Sequence, residues 1–327
     1  MTSLITGAGG FVGINLVRRL ASQGQRVVAV ARRAPDEASL SFLGDLNAQV
    51  TWANVDVRDR EGLARLATKH HADVIIHAAT ITAPRPVEMA DPASLVDVNL
   101  GGTLNALEAA RLAGARRFVF ISSTGVYGAP EDPTQPIRET RPLAISSIYT
   151  ICKQAGEALC RRYAELFGLS AVSGRLGTAY GPMERATHSR STMSVLYALT
   201  HAAWRGERVR VHGADRRRDF CYIDDVADAF AHLALAERLS WDVYNVAGDR
   251  ACTVREALDS LQALLPGFAW DKAEADEAEV VTLPASVRGT LDMSRLREDT
   301  GFTPRYSLAE GLRAYLIWLK SHSEIPA

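Results

Sequence analysis

The chain has 327 residues and a formal net charge of −1 at pH 7. Its composition, 47% hydrophobic and 23% charged, is typical of a globular protein, and the length favours two domains or one domain with a cap. The densest basic run is Arg216 to Arg218, so no nucleic acid and no anionic membrane is expected as a partner.

The N-terminus and the cysteines indicate the compartment. The first strand begins within a few residues of Met1, which leaves no room for a signal peptide, and no apolar run reaches the length of a membrane span. The four cysteines (152, 160, 221 and 252) have no CxxC spacing. They predict neither disulfides nor a metal site. We therefore expect a cytoplasmic enzyme with reduced thiols and no metal.

The first turn carries the strongest local motif. Gly7, Gly10 and Gly13 have GxxGxxG spacing between a short apolar strand (Leu4, Ile5) and a helix predicted from Val12 to Gln23. Such a turn aims free backbone N–H groups and the positive end of a helix dipole at one point, where a phosphate can bind. The sequence predicts a dinucleotide site here that also includes Phe11 and Val12.

Strands and helices then alternate along the chain. We predict strands at 26–31, 50–57, 72–79, 117–123 and 171–176, and long helices at 93–114 and 147–167. Asp59 is suited to cap a short helix between two of these strands. This alternation predicts an α/β fold with a doubly wound parallel sheet, the Rossmann arrangement, covered by helices on both faces.

The pattern changes after Leu176. A stretch rich in Pro, Gly, Arg and Ser (181–191) precedes predicted helices at 192–205, 225–236, 253–265 and 308–320, and strands at 208–211 and 243–247. This predicts a smaller C-terminal substrate-binding cap interleaved with a last unit of the sheet. The expected domains are residues 1–177 plus 223–248 for the dinucleotide, and 178–222 plus 249–327 for the substrate.

Tyr149, Lys153 and Ser123 form the predicted catalytic set. Tyr149 and Lys153 are four apart on a predicted helix and share one face. An ammonium beside a phenol favours the phenolate and is expected to bring the pKa of Tyr149 toward the working range. Ser123 ends a predicted strand at the edge where parallel sheets bind ligands, so its hydroxyl is placed to hydrogen-bond the substrate oxygen. A surface Tyr/Lys pair and a polar strand end are the alternatives.

Together these motifs resemble the extended short-chain dehydrogenase/reductase family of the NAD-dependent epimerase/dehydratase type, whose best-known member is UDP-galactose 4-epimerase. The resemblance covers nearly the whole chain. It rests on the glycine turn and Tyr149/Lys153, and also on Asp56-Val57, His77 to Ala79, Asn99, Ser122 to Gly128, Arg175, Tyr180 to Pro182 and Arg218 to Val226.

The resemblance implies further roles. It places Asp56 and Val57 beside the adenine, and Ala78 and Ala79 with the following Thr80 along the path to the nicotinamide. Asn99 is counted with the cofactor site and is expected to steady the active-site helix. Tyr149 and Lys153 are also expected to contact the cofactor, with Lys153 holding the ribose hydroxyls of the nicotinamide nucleotide. His77 is expected to be a packed residue. On the substrate side it implies Ser123, Thr124, Thr178 and Arg218, the last at a position that contacts the diphosphate of nucleotide sugars. A solvated surface arginine is the alternative for Arg218.

Departures from the family pattern bear on the cofactor. NAD-preferring members have an acidic residue at the end of the second strand, where this chain has Ala31 followed by Arg32 and Arg33. Without that carboxylate a 2′-phosphate is not repelled, and a guanidinium can bind it. The cofactor is therefore expected to be NAD or NADP, with NADP favoured. The alternative is that Arg32 and Arg33 are solvated loop residues that bind no phosphate, which would give the same sequence pattern.

Other departures bear on the reaction. Thr124 and Gly125 stand where dehydratases have an Asp-Glu pair, so a dehydratase is not expected. Thr178 replaces the Asn that is common in epimerases. No second diphosphate-binding arginine lies near Thr282, although Arg288 follows a few residues later and is a candidate substitute. Both departures weaken the case for a UDP-sugar.

The leading hypothesis is an NAD(P)-dependent oxidoreductase that transfers a hydride at a hydroxyl or carbonyl of a sugar or sugar acid, a small-molecule substrate. The alternative is a nucleotide-sugar (UDP-hexose) 4-epimerase that retains its NAD. A non-catalytic dinucleotide-sensing protein is a third possibility, which the intact Ser/Tyr/Lys set disfavours. A homodimer is expected through helices 93–114 and 147–167, which carry more apolar positions than one sheet face requires.

Overall fold

The computed structural model describes residues 1–187, 189–248, 250–282 and 287–322. The strands are β1 Thr2–Thr6, β2 Arg26–Ala31, β3 Val50–Asn54, β4 Val74–His77, β5 Arg117–Ser123, β6 Ala171–Leu176, β7 Thr178–Tyr180, β8 Arg208–His212, β9 Arg217–Tyr222, β10 Val243–Val246, β11 Ala251–Thr253, β12 Ala269–Lys272 and β13 Val280–Val281. The helices are α1 Phe11–Ser22, α2 Glu37–Leu43, α3 Arg60–Lys69, α4 Arg85–Ala90, α5 Pro92–Val96, α6 Gly102–Ala113, α7 Ile148–Phe167, α8 Val195–Trp204, α9 Ile223–Leu235, α10 Val254–Leu264, α11 Ser294–Thr300 and α12 Leu308–Ser321.

The main sheet has seven strands in the order β10-β6-β5-β4-β1-β2-β3, and every neighbouring pair is parallel. Apolar residues such as Val27 to Val30 and Val74 to Ile76 are buried in it, as expected for strands covered on both faces. The chain winds from β1 to β3 on one side and from β4 onward on the other. The predicted doubly wound fold is confirmed, and the carboxyl ends of β1 and β4 border the crevice where such sheets bind ligands.

Two small sheets lie outside the main one, in the orders β11-β9-β7 and β12-β8-β13. One hydrophobic cluster extends from the main sheet into this part of the chain and includes Leu16 and Phe230 as well as Leu258 and Leu312. The smaller C-terminal part is therefore present, and the predicted division into two domains stays a prediction because the core is continuous.

The helix predicted over 93–114 is present as one continuous helical stretch, but it is not a regular α-helix throughout. It consists of α5, a π-turn over 97–101 and α6, and the backbone keeps right-handed helical angles at both junctions. The turn brings the buried Asn99 to face the loop after β4, where its side chain bonds the backbone of Ile81. The predicted strands at 50–57 and 72–79 are also shorter, because Asp56 and Ala78 already belong to the loops at the sheet edge.

No helix in the described part of the chain is both long enough and apolar enough to span a bilayer. Within the same residues, no group of three or more His, Cys, Asp or Glu side chains is arranged to hold a metal ion.

Candidate active site

The glycine turn after β1 is packed too tightly for side chains. Gly7 has a φ of +69°, and a Cβ there would lie 2.6 Å from the Ala79 nitrogen. A Cβ at Gly13 would lie 2.1 Å from the Gly7 carbonyl oxygen, whereas one at Gly10 would be 3.2 Å from that oxygen. Positions 7 and 13 therefore require glycine for the fold itself, while glycine at position 10 keeps the mouth of the turn open.

The N-terminus of α1 lies at this opening. Gly10 precedes the helix, and no side chain among the described residues caps it. Phe11 is buried and Val12 half-buried on the first turn. Backbone N–H groups at such an end have no intrahelical acceptor and attract anions. The turn and the helix end together fit the diphosphate of a dinucleotide.

The loop after β4 forms the opposite wall. The backbone nitrogen of Ala78 donates to the Thr6 carbonyl at 3.2 Å, and that of Ala79 donates to Thr6 Oγ1 at 3.4 Å. The side chain of Thr80 donates to Asn99 Oδ1 at 3.1 Å. Since the amide of Asn99 is engaged by this loop, we assign Asn99 a positioning role rather than direct contact with the cofactor.

The residues after β2 and β3 lie at the predicted adenosine end of the cofactor site. Ala31 ends β2, and the side chains of Arg32 and Arg33 are exposed. The Asp56 carboxylate accepts hydrogen bonds from Arg58, which lower its pKa, and the charge of Arg32 contributes to the same effect. Val57 is buried beneath this loop. No carboxylate therefore occupies the end of β2.

Ser123 and Tyr149 meet at the end of β5. The Ser123 hydroxyl accepts a hydrogen bond from the Gly125 nitrogen at 3.1 Å. Helix α7 begins at the Ser147 capping box, so Tyr149 and Lys153 project from its first turns. Lys153 is buried, donates to the Ile121 carbonyl at 2.7 Å and lies 5.5 Å from the centre of the Tyr149 ring.

The pKa values at this site differ from the simple expectation. Burial raises the pKa of Tyr149, while a hydrogen bond with Ser123 and the charge of Arg190 oppose the rise. Burial also lowers the pKa of Lys153 to about 8. The net shift of the Tyr149 pKa is therefore opposite to the predicted one, because desolvation of the phenol outweighs the Ser123 hydrogen bond and the charge of Arg190.

Buried polar groups support this catalytic set. His77 packs between Phe118 and Phe120, its Nδ1 pairs with Thr6 Oγ1 at 2.7 Å, and burial lowers its pKa to about 3. It is a packed neutral residue.

A second network lies behind Ser123. The Glu157 carboxylate accepts from Ser122 at 2.6 Å and from Arg175 at 2.7 Å, with all three residues buried. Sequence reasoning missed Glu157, although it lies one helical turn after Lys153.

The predicted substrate residues adjoin Ser123. Thr124 is buried directly after Ser123, and Thr178 lies two residues after Leu176, the register partner of Ser123. Arg218 on β9 donates to Thr178 Oγ1 at 3.4 Å. Burial and the nearby charge of Arg288 lower the pKa of Arg218 to about 10. Arg218 is thus a half-buried arginine beside a second guanidinium, and the alternative of a solvated surface residue does not fit.

Comparisons with known proteins agree with this geometry. A family model described as "NAD dependent epimerase/dehydratase family" matches residues 3–247. The chain is similar to a UDP-glucose 4-epimerase of Mycolicibacterium smegmatis, with 31% identity over 99% of this chain and 100% of the relative. It is also similar to a dTDP-4-dehydro-6-deoxy-D-allose reductase of a Streptomyces species, with 30% identity over 98% and 97%.

A solved structure has the same overall fold. The UDP-glucose 4-epimerase of Thermus thermophilus, in complex with NAD, superposes with a TM-score of 0.80 at 28% identity, covering 98% of this chain and 100% of that one. The family match spans most of the chain and includes the glycine turn and the Ser/Tyr/Lys set. The chain is therefore an NAD(P)-dependent enzyme and belongs to the NAD-dependent epimerase/dehydratase family, of the extended short-chain dehydrogenase/reductase type.

Proposed function

We propose that the enzyme transfers a hydride at a ring hydroxyl of a nucleoside-diphosphate sugar, and that its first candidate reaction is 4-epimerisation of a UDP-hexose. The observation that carries this proposal is the pair Arg218 and Arg288. Two guanidinium groups lie close enough for the charge of one to lower the pKa of the other. A guanidinium binds phosphate oxygens through charge-assisted hydrogen bonds, so the diphosphate of a nucleotide sugar suits this pair.

The position of this pair supports a substrate that spans the crevice. Arg218 bonds Thr178, which lies beside Ser123 at the sheet edge. A diphosphate held at Arg218 and Arg288 places the attached sugar toward Ser123 and Tyr149. The glycine turn is left for the diphosphate of the cofactor, so the two anionic groups have separate sites.

The chain's own residues perform the proton transfer. Tyr149 takes the proton of the sugar hydroxyl as the carbon loses its hydride. It returns that proton to the oxygen when the carbon regains a hydride. Ser123 hydrogen-bonds the same oxygen and thereby orients it, and Lys153 provides positive charge near the phenolate. When bound, the nicotinamide supplies the hydride acceptor and donor. We propose that it is held by the glycine turn, Phe11, Val12, Ala78 and Ala79.

We propose NAD as this cofactor. The Thermus thermophilus relative was solved in complex with NAD, which does not support the NADP preference expected from the arginines after β2. Arg32 and Arg33 follow β2 and are exposed, so they are the side chains that could contact a 2′-phosphate, and direct comparison of NADH and NADPH binding is the relevant measurement.

A net oxidoreductase is the second candidate. Thr178 stands where the family's epimerases commonly have Asn, and a relative at 30% identity is a reductase. A dehydratase remains disfavoured, because Thr124 and Gly125 offer no acid–base pair for removing water. Both candidate reactions use the same substrate class. They differ in whether the reaction consumes the cofactor.

The experiment uses purified enzyme with UDP-glucose or UDP-galactose, chromatography of the sugars and absorbance of the reduced nicotinamide. Interconversion with no net absorbance change is the expected result. Stoichiometric oxidation or reduction of added cofactor would establish the second candidate. Binding of NADH together with no reaction on any nucleotide sugar would favour a dinucleotide sensor and contradict the proposal.

We also propose a homodimer through α6 and α7. Five large apolar side chains on these helices are 40–52% exposed, namely Leu104, Leu112, Ile151, Leu166 and Phe167. A dimer that covers them removes this apolar surface from water. Light scattering at micromolar concentration is expected to give twice the chain mass, and Leu166→Glu is expected to give a monomer. A monomeric wild type would contradict the proposal.

A further inference from the structure

The connection from β7 to α8 crosses the mouth of the crevice. We call its residues 184–187 and 189–194 the strap. The carbonyl of Ser189 accepts a hydrogen bond from the Thr82 nitrogen at 3.0 Å, which ties the strap to the loop after β4. Asn15 on α1 donates to the Pro182 carbonyl at 3.1 Å, just before the strap begins. The strap is thus held against the walls of the cofactor site.

One strap arginine bridges to the loop after β2. Arg185 lies 2.7 Å from the Asp36 carboxylate and donates to the Ser39 hydroxyl at 3.2 Å. Asp36 also caps α2 by accepting from the Ser39 nitrogen at 2.9 Å. This contact joins the strap to the segment that follows β2, where the adenosine end of the cofactor is proposed to bind. It acts as a latch between the cap and the sheet.

A second strap arginine enters the crevice. Arg190 pairs at 2.5 Å with Glu184, whose side chain is fully buried. The Arg190 guanidinium lies 5.4 Å from the centre of the Phe11 ring, at the N-terminus of α1. Its Nε is buried with no hydrogen-bond partner among the described residues. Its charge also acts on Tyr149. The Arg190 guanidinium, paired with the Glu184 carboxylate, therefore lies near both the N-terminus of α1 and Tyr149.

We propose that the strap holds the cofactor from the cap side, with Arg190 as a ligand of the cofactor's diphosphate and Arg185 as the latch that keeps the strap closed. The proposal rests on the proposed dinucleotide site and adds the element that sets how long the cofactor stays bound. A diphosphate bound at the N-terminus of α1 would lie close to Phe11, and the Arg190 guanidinium contacts the ring of Phe11. A guanidinium is well suited to bind phosphate oxygens. The Arg185 latch must open for the cofactor to enter or leave.

The two arginines have different kinetic signatures. Arg185→Gln removes the latch, so the strap opens more often and both association and dissociation of NADH are expected to accelerate. Arg190→Gln removes a ligand, so dissociation alone is expected to accelerate, by about tenfold, with association unchanged. A tenfold change in the dissociation constant corresponds to about 1.4 kcal/mol.

The experiment is stopped-flow fluorescence of NADH and NADPH binding to the full-length enzyme without sugar. Asp36→Asn is the second latch variant, because asparagine keeps the helix cap but loses the charge. Arg190→Lys retains a cation for Glu184 but loses the planar fork of the guanidinium. NADH is expected to dissociate faster from this variant than from wild type, which keeps the test available even if Arg190→Gln does not fold. Arg205→Gln is the matched control, since it removes an exposed cap ion pair with Glu207 away from the strap.

The expected result is faster exchange in both latch variants, faster dissociation in the Arg190 variants and wild-type rates in Arg205→Gln. Association and dissociation rates within about twofold of wild type in the Arg185 and Arg190 variants would overturn the strap proposal alone. A wild type that binds neither NADH nor NADPH would contradict the dinucleotide site, and the strap proposal with it.

Discussion

The two sides of the crevice are built in different ways. The sheet side places Ser123, Tyr149 and Lys153 on β5 and α7, two consecutive elements that are joined by one connection. The cap side brings Thr178, Arg218 and Arg288 together from β7, β9 and a segment far along the chain. The residues proposed for proton transfer therefore come from one local unit, whereas those proposed for substrate recognition are brought together by long-range packing.

The two sides also differ in how their charges are balanced. Behind the catalytic serine, Arg175 and Glu157 form a buried ion pair at 2.7 Å. On the cap side, burial lowers the pKa of Arg218 and of Arg288, and the charge of Arg288 lowers that of Arg218 further. The buried charge of Arg175 is thus paired within the protein, and the anionic ligand proposed for Arg218 and Arg288 is the diphosphate of the substrate. Substitutions on the two sides are therefore expected to alter different kinetic constants.

Tyr149→Phe should have the largest effect. Loss of the phenol removes the group that moves the proton, and kcat is expected to fall by about 10³-fold, since acid–base groups contribute roughly 10²–10⁴. NADH affinity should not change. Steady-state kinetics and NADH titration measure both quantities. Tyr163→Phe on the same helix, whose hydroxyl bonds Glu108 instead, is the control and should retain activity.

The pH dependence of kcat/KM should report the ionisation of Tyr149. Because burial raises the pKa of Tyr149, the phenolate fraction grows as pH rises, and kcat/KM should increase by up to about tenfold per pH unit below that pKa. Above about pH 8, Lys153 loses its proton and the increase should flatten.

Lys153→Met should move the rising limb to higher pH, because the neutral side chain no longer favours the phenolate. Initial rates between about pH 6 and 10 give the profile. A rising limb at the same pH in Lys153→Met would show that Lys153 does not influence the tyrosine.

Arg218→Gln and Arg288→Gln should raise KM for the nucleotide sugar by about 10- to 100-fold with little change in kcat. The reason is that a charge-assisted contact to a non-reacting diphosphate is lost equally in the ground and transition states. Arg217→Gln, an exposed neighbour on β9, is the control. An equal loss of kcat in both arginine variants would break the proposed division between the two sides.

The contrast between the two sides also explains what the sequence could predict. The glycine turn, the alternating strands and the Tyr149/Lys153 spacing depend on local rules of backbone geometry and helical periodicity. The π-turn before α6 was not predicted, because it coincides with bonding of Asn99 to a distant loop. The contacts of Arg190 with Glu184 and Phe11 depend on how the segment after β7 packs against α1. This segment is rich in Pro, Gly, Arg and Ser and has no hydrophobic periodicity from which its packing could be predicted.

The smallest expected effect concerns the cofactor's 2′ position. NADH should bind at least as tightly as NADPH, and Arg33→Gln should change NADH affinity by less than about threefold, because its exposed side chain lies outside the NAD contacts proposed here. Fluorescence titration provides both dissociation constants. NADPH binding more than about tenfold tighter than NADH, and lost in Arg33→Gln, would restore the NADP preference.

The most direct test of hydride transfer at the sugar is an isotope experiment with UDP-glucose deuterated at C4. The hydride leaves and returns to the same carbon in the proposed reaction, so UDP-galactose formed in ordinary water should retain the deuterium, as read by NMR and mass spectrometry. Loss of the label to solvent, or no product from enzyme that binds NADH, would contradict the proposed epimerisation.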